Sequence, residues 1–338
     1  GLVSSMGCWV NQLDDLFRVQ LSLRLRRIGF PAMQANEPAL EDYLVLILLS
    51  AIWGASFLFL RISSPVFGPF FLIELRVASA LLVLLPVCIA MGKQHEIVAN
   101  WRPILLLSFC NMTVPFCLLA YATLSIGAGF ASIINATVPF FTAILAFTFW
   151  QQRLSVIAIV GMFVGFLGVV LLMLDYSGQL ASSASLLAIA AGILASVFYG
   201  LAINLMAQYL PAVSGVAVVT GSLIFSSLTL SPLALWQIPK IMPTGSIWLS
   251  VFSLGIICTG FAFVLFYRLI SRIGSNLAVT NTFLIPLFSL FWANIFLAEK
   301  VTFFMLFSCA LVLMGVGLTT GSLIKLINFC KIKLVRQK

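Results

Sequence analysis

The stretch Ile52-Trp53-Gly54-Ala55-Ser56-Phe57 decides how this chain is read, because its core returns later in the sequence. Trp53-Gly54 recurs as Tyr199-Gly200 and Pro86 recurs as Pro232, each pair 146 residues apart. Gly127 and Pro139 recur as Gly274 and Pro286 at an offset of 147. Around these landmarks lie ten apolar runs, near 43–62, 69–91, 102–122, 128–150, 155–174, 184–209, 213–236, 247–271, 276–298 and 303–327. Each is long enough to cross a hydrocarbon core about 30 Å thick, which takes roughly 20 helical residues. Five spans per copy is an odd number, so the second copy enters the membrane from the opposite side. The expected fold is an all-α integral membrane protein with ten transmembrane helices arranged as two inverted five-helix repeats.

Composition supports lipid as the solvent. Sixty-two percent of residues are hydrophobic and 8% are charged, against about 25% charged in soluble domains. The runs lack the alternation of membrane β-strands. The net charge of +9 could point to nucleic acid, but its distribution does not. With the N-terminus in the cytoplasm, fourteen of the eighteen Lys and Arg residues fall inside and only Arg61, Lys240 and Lys300 outside, with Arg76 within a span. This is the positive-inside bias, and it places both termini in the cytoplasm. The link between spans 3 and 4 is uncharged, whereas its counterpart between spans 8 and 9 carries Arg268 and Arg272, as inversion requires. The seven cysteines form no CxxC pair and the only histidine is His95. Neither a metal site nor a cofactor is expected from such material.

The organisation follows from these spans. Residues 1–42 read as a cytoplasmic extension, of which 1–32 are expected to be poorly ordered or not part of the native start. A first repeat covers 43–175, a Ser-rich linker 176–183, a second repeat 184–327 and a basic cytoplasmic tail 328–338. No phosphate-binding glycine loop is present.

On these residues the chain resembles the drug/metabolite transporter superfamily, specifically the EamA-type ten-helix permeases, over about residues 43–327. The resemblance is carried by Ile52 through Phe57, by Leu75-Arg76 after Pro69, and by Val138-Pro139-Phe140-Phe141 with Ile285-Pro286-Leu287-Phe288. Phe296-Leu297-Ala298-Glu299-Lys300-Val301-Thr302 and the glycines of the last span complete it. Gln151-Gln152-Arg153 departs from the family pattern, which has an acidic residue before the basic one; Glu299-Lys300 keeps it. The resemblance implies a secondary transporter in a bacterial inner membrane, often an exporter, of amino acids, nucleotide-like metabolites or toxic small molecules.

Ionisable residues inside a span cost about 2.5–3.5 kcal/mol or more at its centre, so Glu74 and Arg76 need a reason. Two residues apart on a helix, they project about 200° from each other. The functional reading has Arg76 holding an anionic group and Glu74 taking part in proton coupling; the plain one has both as anchors near the headgroups. Pro139 and Pro286 interrupt spans 4 and 9, and such interruptions near the midplane serve as binding or gating points. Asn135 and Asn281 lie beside them, with Asn276 and Thr280 close by, as substrate contacts or as glue between helices. Asn111 in span 3 has the same ambiguity. Trp53 and Tyr199, mid-span and repeat-equivalent, fit a cavity wall or aromatic packing, and Asn204 adds a polar group one turn beyond Tyr199. Gly161, Gly165 and Gly168 read as a packing stripe.

The expected activity is secondary active transport of a small metabolite, an amino acid or related solute, outward by alternating access, with the two halves rocking about a central site. Its substrate contacts are Trp53, Arg76, Asn135, Tyr199 and Asn281. The partners are the small-molecule solute and membrane lipid, with no nucleic acid and with a homodimer left open. A passive facilitator or channel is the alternative. An integral membrane enzyme acting on lipid-linked substrates is less favoured, since no cluster of acids, histidines or nucleophile with base is visible.

Overall fold

The computed structural model describes residues 39–175, 183–241, 243, 245–273 and 281–321. Ten helices carry the chain back and forth: α1 Leu40–Phe67, α2 Pro69–Ala90, α3 Trp101–Ser125, α4 Ala128–Trp150, α5 Val156–Asp175, α6 Ser183–Tyr209, α7 Gly215–Trp236, α8 Gly245–Ile273, α9 Asn281–Leu297 and α10 Phe303–Thr319. Eight are long and apolar enough to cross a membrane, and α9 and α10 are shorter apolar helices of 17 residues. A short helix, Gln94–Ala99, joins α2 to α3. The first span is longer than its hydropathy indicates because α1 runs on through Pro65 and reverses into α2 at Gly68 alone. Gly68 sits at φ 69°, where a side chain is strained, and Pro69 starts α2 with its fixed φ. Residues 1–38 of the expected extension 1–42, residues 176–182 of the expected linker 176–183 and the tail 328–338 lie outside the described residues, as do Gly274, Asn276 and Thr280.

Side-chain contacts at the helix ends fix which ends share a face. On one face Arg272 at the end of α8 meets Asp42 at the start of α1 at 2.9 Å. There too Glu96, after α2, accepts from the Ser214 N–H that opens α7. On the opposite face Gln237, after α7, accepts from the Phe70 N–H of α2 at 2.7 Å. Beside it Glu299, after α9, accepts from the Ala128 N–H of α4 at 3.0 Å. Since α1 begins on the face where α6 ends, the second repeat is inverted relative to the first.

The repeats are interleaved. α1 packs on α9 as α6 packs on α4; α2 packs on α8 as α7 packs on α3; α2 meets α7 and α5 meets α10 across the pseudo-two-fold axis. The most extensive helix pairs all join one repeat to the other, so the halves do not form separate bodies. Glycines permit the approach. A Cβ on Gly54 would lie 2.7 Å from Phe288 Cβ, and one on Gly200 would lie 2.7 Å from the Thr142 N. Phe288-Ser289 and Phe141-Thr142 are themselves equivalent at the 147 offset. Gly161 and Gly315 likewise hold α5 against α10, each meeting the other's carbonyl oxygen. The stripe read as packing is packing.

Candidate functional site

Two irregularities in the helices shape the interior, and they are repeat-equivalent. α3 carries a π-helical turn at Phe109–Thr113 and α8 a longer one at Ser253–Phe261. A π-turn widens the helix and turns the following residues out of register, a device frequent at functional sites. In the neighbouring span, α4 breaks between Ala128–Asn135 and Val138–Trp150, with Pro139 in the first turn of the second piece. Its equivalent Pro286 lies inside α9 and is buried. A serine stands at each interruption: Ser50 on α1 donates to the Asn281 carbonyl at 3.3 Å and Ser196 on α6 to the Ile134 carbonyl at 3.2 Å. These serines are 146 residues apart.

Arg76 lies among these interruptions. Its side chain is 6% exposed. The guanidinium carbon stands 3.7 Å from the centroid of the Phe116 ring, and Nε donates to Thr259 Oγ1 at 2.9 Å. Phe116 follows the π-turn of α3, and Thr259 is within that of α8. The Thr259 hydroxyl itself donates to the Leu254 carbonyl at 2.9 Å, so its lone pairs are turned toward Arg76. Gly255 and Gly260 bring α8 this close: a Cβ on Gly255 would stand 2.7 Å from the Arg76 carbonyl oxygen, and one on Gly260 2.9 Å from Val83 Cβ. Among the described residues no carboxylate pairs with Arg76.

Glu74 points elsewhere, as the helical geometry requires. It faces α7, where one carboxyl oxygen accepts from Ser227 Oγ at 2.5 Å and from Ser231 Oγ at 3.4 Å. Its other oxygen is buried with no hydrogen-bond partner. The repeat equivalents of Glu74 and Arg76 are Thr220 and Ser222, both buried.

Two aromatic pairs flank the centre. Tyr199 meets Phe116 edge-on at 6.4 Å and Trp53 meets Phe263 edge-on at 5.8 Å, Phe263 being the equivalent of Phe116. Trp53 also packs on Phe266 at 5.2 Å. Arg76 and Tyr199 are thus brought together through Phe116, while Trp53 occupies the mirror position in the other repeat. Asn135 is half-buried at the α4 break with its carbonyl oxygen unpartnered, and Asn281 is fully buried with neither amide atom partnered. Among the described residues no hydrogen bond or ring contact joins either asparagine to Arg76. Asn204 is glue: it donates to the Thr142 and Gly200 carbonyls at 3.0 and 2.9 Å. Asn111 lies half-buried within the first π-turn.

Sequence reasoning missed Phe116, Thr259 and Phe263. A π-turn has no residue signature of its own. The available hints were Pro115 beside Asn111-Met112-Thr113 and the Gly255/Gly260 pair, both at the equivalent depth.

Comparison with known proteins agrees with this architecture. The model of the EamA-like transporter family matches twice, over residues 42–174 and 186–321. Two proteins of Archaeoglobus fulgidus, each described as an uncharacterized transporter, are similar at 25% identity. One aligns over 82% of this chain and the other over 83%, each over 98% of its own length. A solved crystal structure at 18% identity superposes with a TM-score of 0.61 over 85% of this chain and 98% of its own, which is a likeness of fold. The chain belongs to the EamA-like transporter family and is a multi-pass membrane transporter.

Proposed function

We propose that the protein exports a small metabolite, an amino acid or related solute, by alternating access across a bacterial cytoplasmic membrane with both termini inside. The observation that carries this reading is the placement of helix interruptions at repeat-equivalent depths, the π-turns of α3 and α8 and the prolines of α4 and α9. Inverted repeats that differ slightly in shape can exchange shapes, which converts an inward-open protein to an outward-open one around a fixed midplane site. Interleaving changes which parts move. Because each repeat packs chiefly on the other, the moving bodies combine helices of both, rather than being the two sequence halves.

The solute meets Arg76 and Tyr199 on one side of the pseudo-axis and Trp53 on the other, with Asn135 and Asn281 at the interrupted helices. Pro139 and Pro286 are the gating points. Glu74 serves coupling: its second oxygen, buried and unpartnered, disfavours a fixed charge and suits a carboxyl that takes up and releases a proton. The orientation rests on the described basic residues, with Lys93, Arg102, Arg153, Arg268 and Arg272 on the face of the α1 start and Arg61, Lys240 and Lys300 on the other. Counterflow in proteoliposomes tests the reading: a carrier accelerates uptake when solute is present inside, a channel does not, and an enzyme shows no flux at all.

A further inference from the structure

Arg76 stands opposite a neutral residue, Ser222, in the other repeat, and its surroundings are specific. A guanidinium has five N–H donors and no acceptor. Nε is engaged by Thr259 and one face of the plane lies on Phe116. The Nη1 and Nη2 edge, the fork that matches two oxygens of a carboxylate or phosphate, has no partner among the described residues. A buried cation without a counter-ion is costly, and the cost is relieved when an anion pairs with it in good geometry. Phe116 and Thr259 have already fixed the plane, so little side-chain freedom remains to be lost on pairing. Phe116 follows the π-turn of α3 and Thr259 lies within that of α8.

Resting on the carrier reading above, we infer that Arg76 is an oxyanion site: the solute has a carboxylate or phosphate group that docks on the free fork, with the Tyr199–Phe116 pair beside it. Ser222, the repeat equivalent, is neutral and buried, so the anionic end of the solute lies off the pseudo-axis toward α2, α3, α6 and α8. The rest of the molecule extends toward Trp53. Thr259 and Phe116 are positioning residues that hold the guanidinium in plane. The empty carrier bears the uncompensated charge, so exchange of solute for solute is faster than return of the empty protein.

The test uses the full chain purified in detergent and three solute pairs that differ in the acid group: benzoate and benzamide, phenylalanine and phenylalaninamide, uridine monophosphate and uridine. Melting temperature is followed during titration. The acid member of at least one pair raises it and the amide or nucleoside member does not; which pair responds separates carboxylate from phosphate. Arg76→Gln weakens the acid's apparent affinity roughly 10- to 100-fold, the worth of charge-assisted hydrogen bonds. Arg76→Lys keeps the charge but not the fork and falls between. Empty Arg76→Gln melts no lower than the native chain; if it does not fold, Arg76→Lys carries the comparison. The inference is overturned if no acid stabilises the native chain, if both members of each pair stabilise alike, or if the acid preference survives in the variants. Counterflow of the same solutes judges the carrier reading separately. Acid-selective stabilisation without counterflow upholds the oxyanion site and removes the carrier, and counterflow of neutral members alone does the reverse.

Discussion

Replacing Gly54 by alanine probes the duplicated frame most directly. The added Cβ would stand 2.7 Å from Phe288 Cβ, 2.9 Å from the Ser289 N and 3.1 Å from the Ile285 carbonyl oxygen. Two of these three atoms are backbone, and the third is a Cβ fixed to it, so no rotamer change relieves them. Ordinary carbon contacts lie at about 3.5–4.0 Å, and α1 must therefore retreat from α9 by nearly 1 Å. Overpacking of this kind costs about 1–3 kcal/mol. Alanine recovers up to about 1 kcal/mol through its better helix propensity, leaving a net loss of up to about 2 kcal/mol.

Gly200→Ala provides an internal replicate. Its Cβ would meet the Thr142 N at 2.7 Å, the Phe141 carbonyl carbon at 2.9 Å and Phe141 Cβ at 3.1 Å, on the α6–α4 interface. The loss should be of the same size. The double variant should lose about the sum, since the two substitutions strain different helix pairs. Gly245→Ala is the control, because nothing lies within 4 Å of its Cβ. Equilibrium unfolding in mixed micelles of mild and denaturing detergent reads all four. If Gly54→Ala unfolds like Gly245→Ala, or if Gly54→Ala and Gly200→Ala differ in sign, the close approach of the repeat-equivalent helices is refuted.

Other outcomes follow from single contacts at the helix ends. Burial opposes the charge on Glu96, yet hydrogen bonds from Lys93 Nζ and the Ser214 N–H bring its pKa down to about 2. A carboxylate depressed in the folded state stabilises above its unfolded pKa, so this contribution is complete above pH 4.5 and is lost as pH falls toward 2. Glu96→Gln should flatten the acid limb of a pH–melting curve in that window; an unchanged limb would remove Glu96 as its source. Ala298 sits at φ 53°, a left-handed conformation that costs a side chain roughly 1–2 kcal/mol, so Ala298→Gly should raise stability by about 1 kcal/mol in the same unfolding assay. Glu299→Ala frees the Ala128 and Gly129 N–H groups that it caps and should cost about 0.5–2 kcal/mol; no loss would mean that the cap is idle.

Much of this fold was legible because lipid imposes one demand, that every backbone polar group be satisfied within the span. That demand made ten apolar runs into ten helices, although α1 runs five residues past its expected end at 62 and α10 ends at Thr319, eight short of 327. The duplication was legible because glycine and proline act on the backbone directly: Gly54 and Gly200 occupy matching contacts, and Pro139 and Pro286 stand at the same repeat position. Even the motif that departs from the family pattern keeps its geometry. Gln151 at φ 51° matches Ala298, and the Gln152 N–H bonds to the Ala146 carbonyl as that of Glu299 does to Ala293. Side-chain placement around Arg76 was not legible. It depends on where two helices widen, and π-turns are decided by packing across the repeats rather than by local composition. Asn204 illustrates the same limit: expected to add a polar group beside Tyr199, it bonds the Gly200 carbonyl and the Thr142 carbonyl of α4 and binds helices together.

The two repeats share a frame but not their buried charges. Several contacts that recur at the repeat offset hold the frame: the glycine approaches, the serines at the interrupted helices and the left-handed residues after α4 and α9. The charged groups of the proposed site and the hydroxyl that holds Arg76 do not recur: Arg76 stands opposite Ser222, Glu74 opposite Thr220, and Thr259 opposite Met112. A duplicated frame lets two conformations have nearly equal energy, because each repeat can adopt the other's shape at little cost. Direction and selectivity then require that something break the equivalence. Here the breaking groups are gathered on the side of α2, a cation facing α8 and a carboxyl facing α7. In the proposed mechanism one helix, α2, links the solute's charge to the coupling carboxyl without the two touching, because residues two apart on a helix face different neighbours.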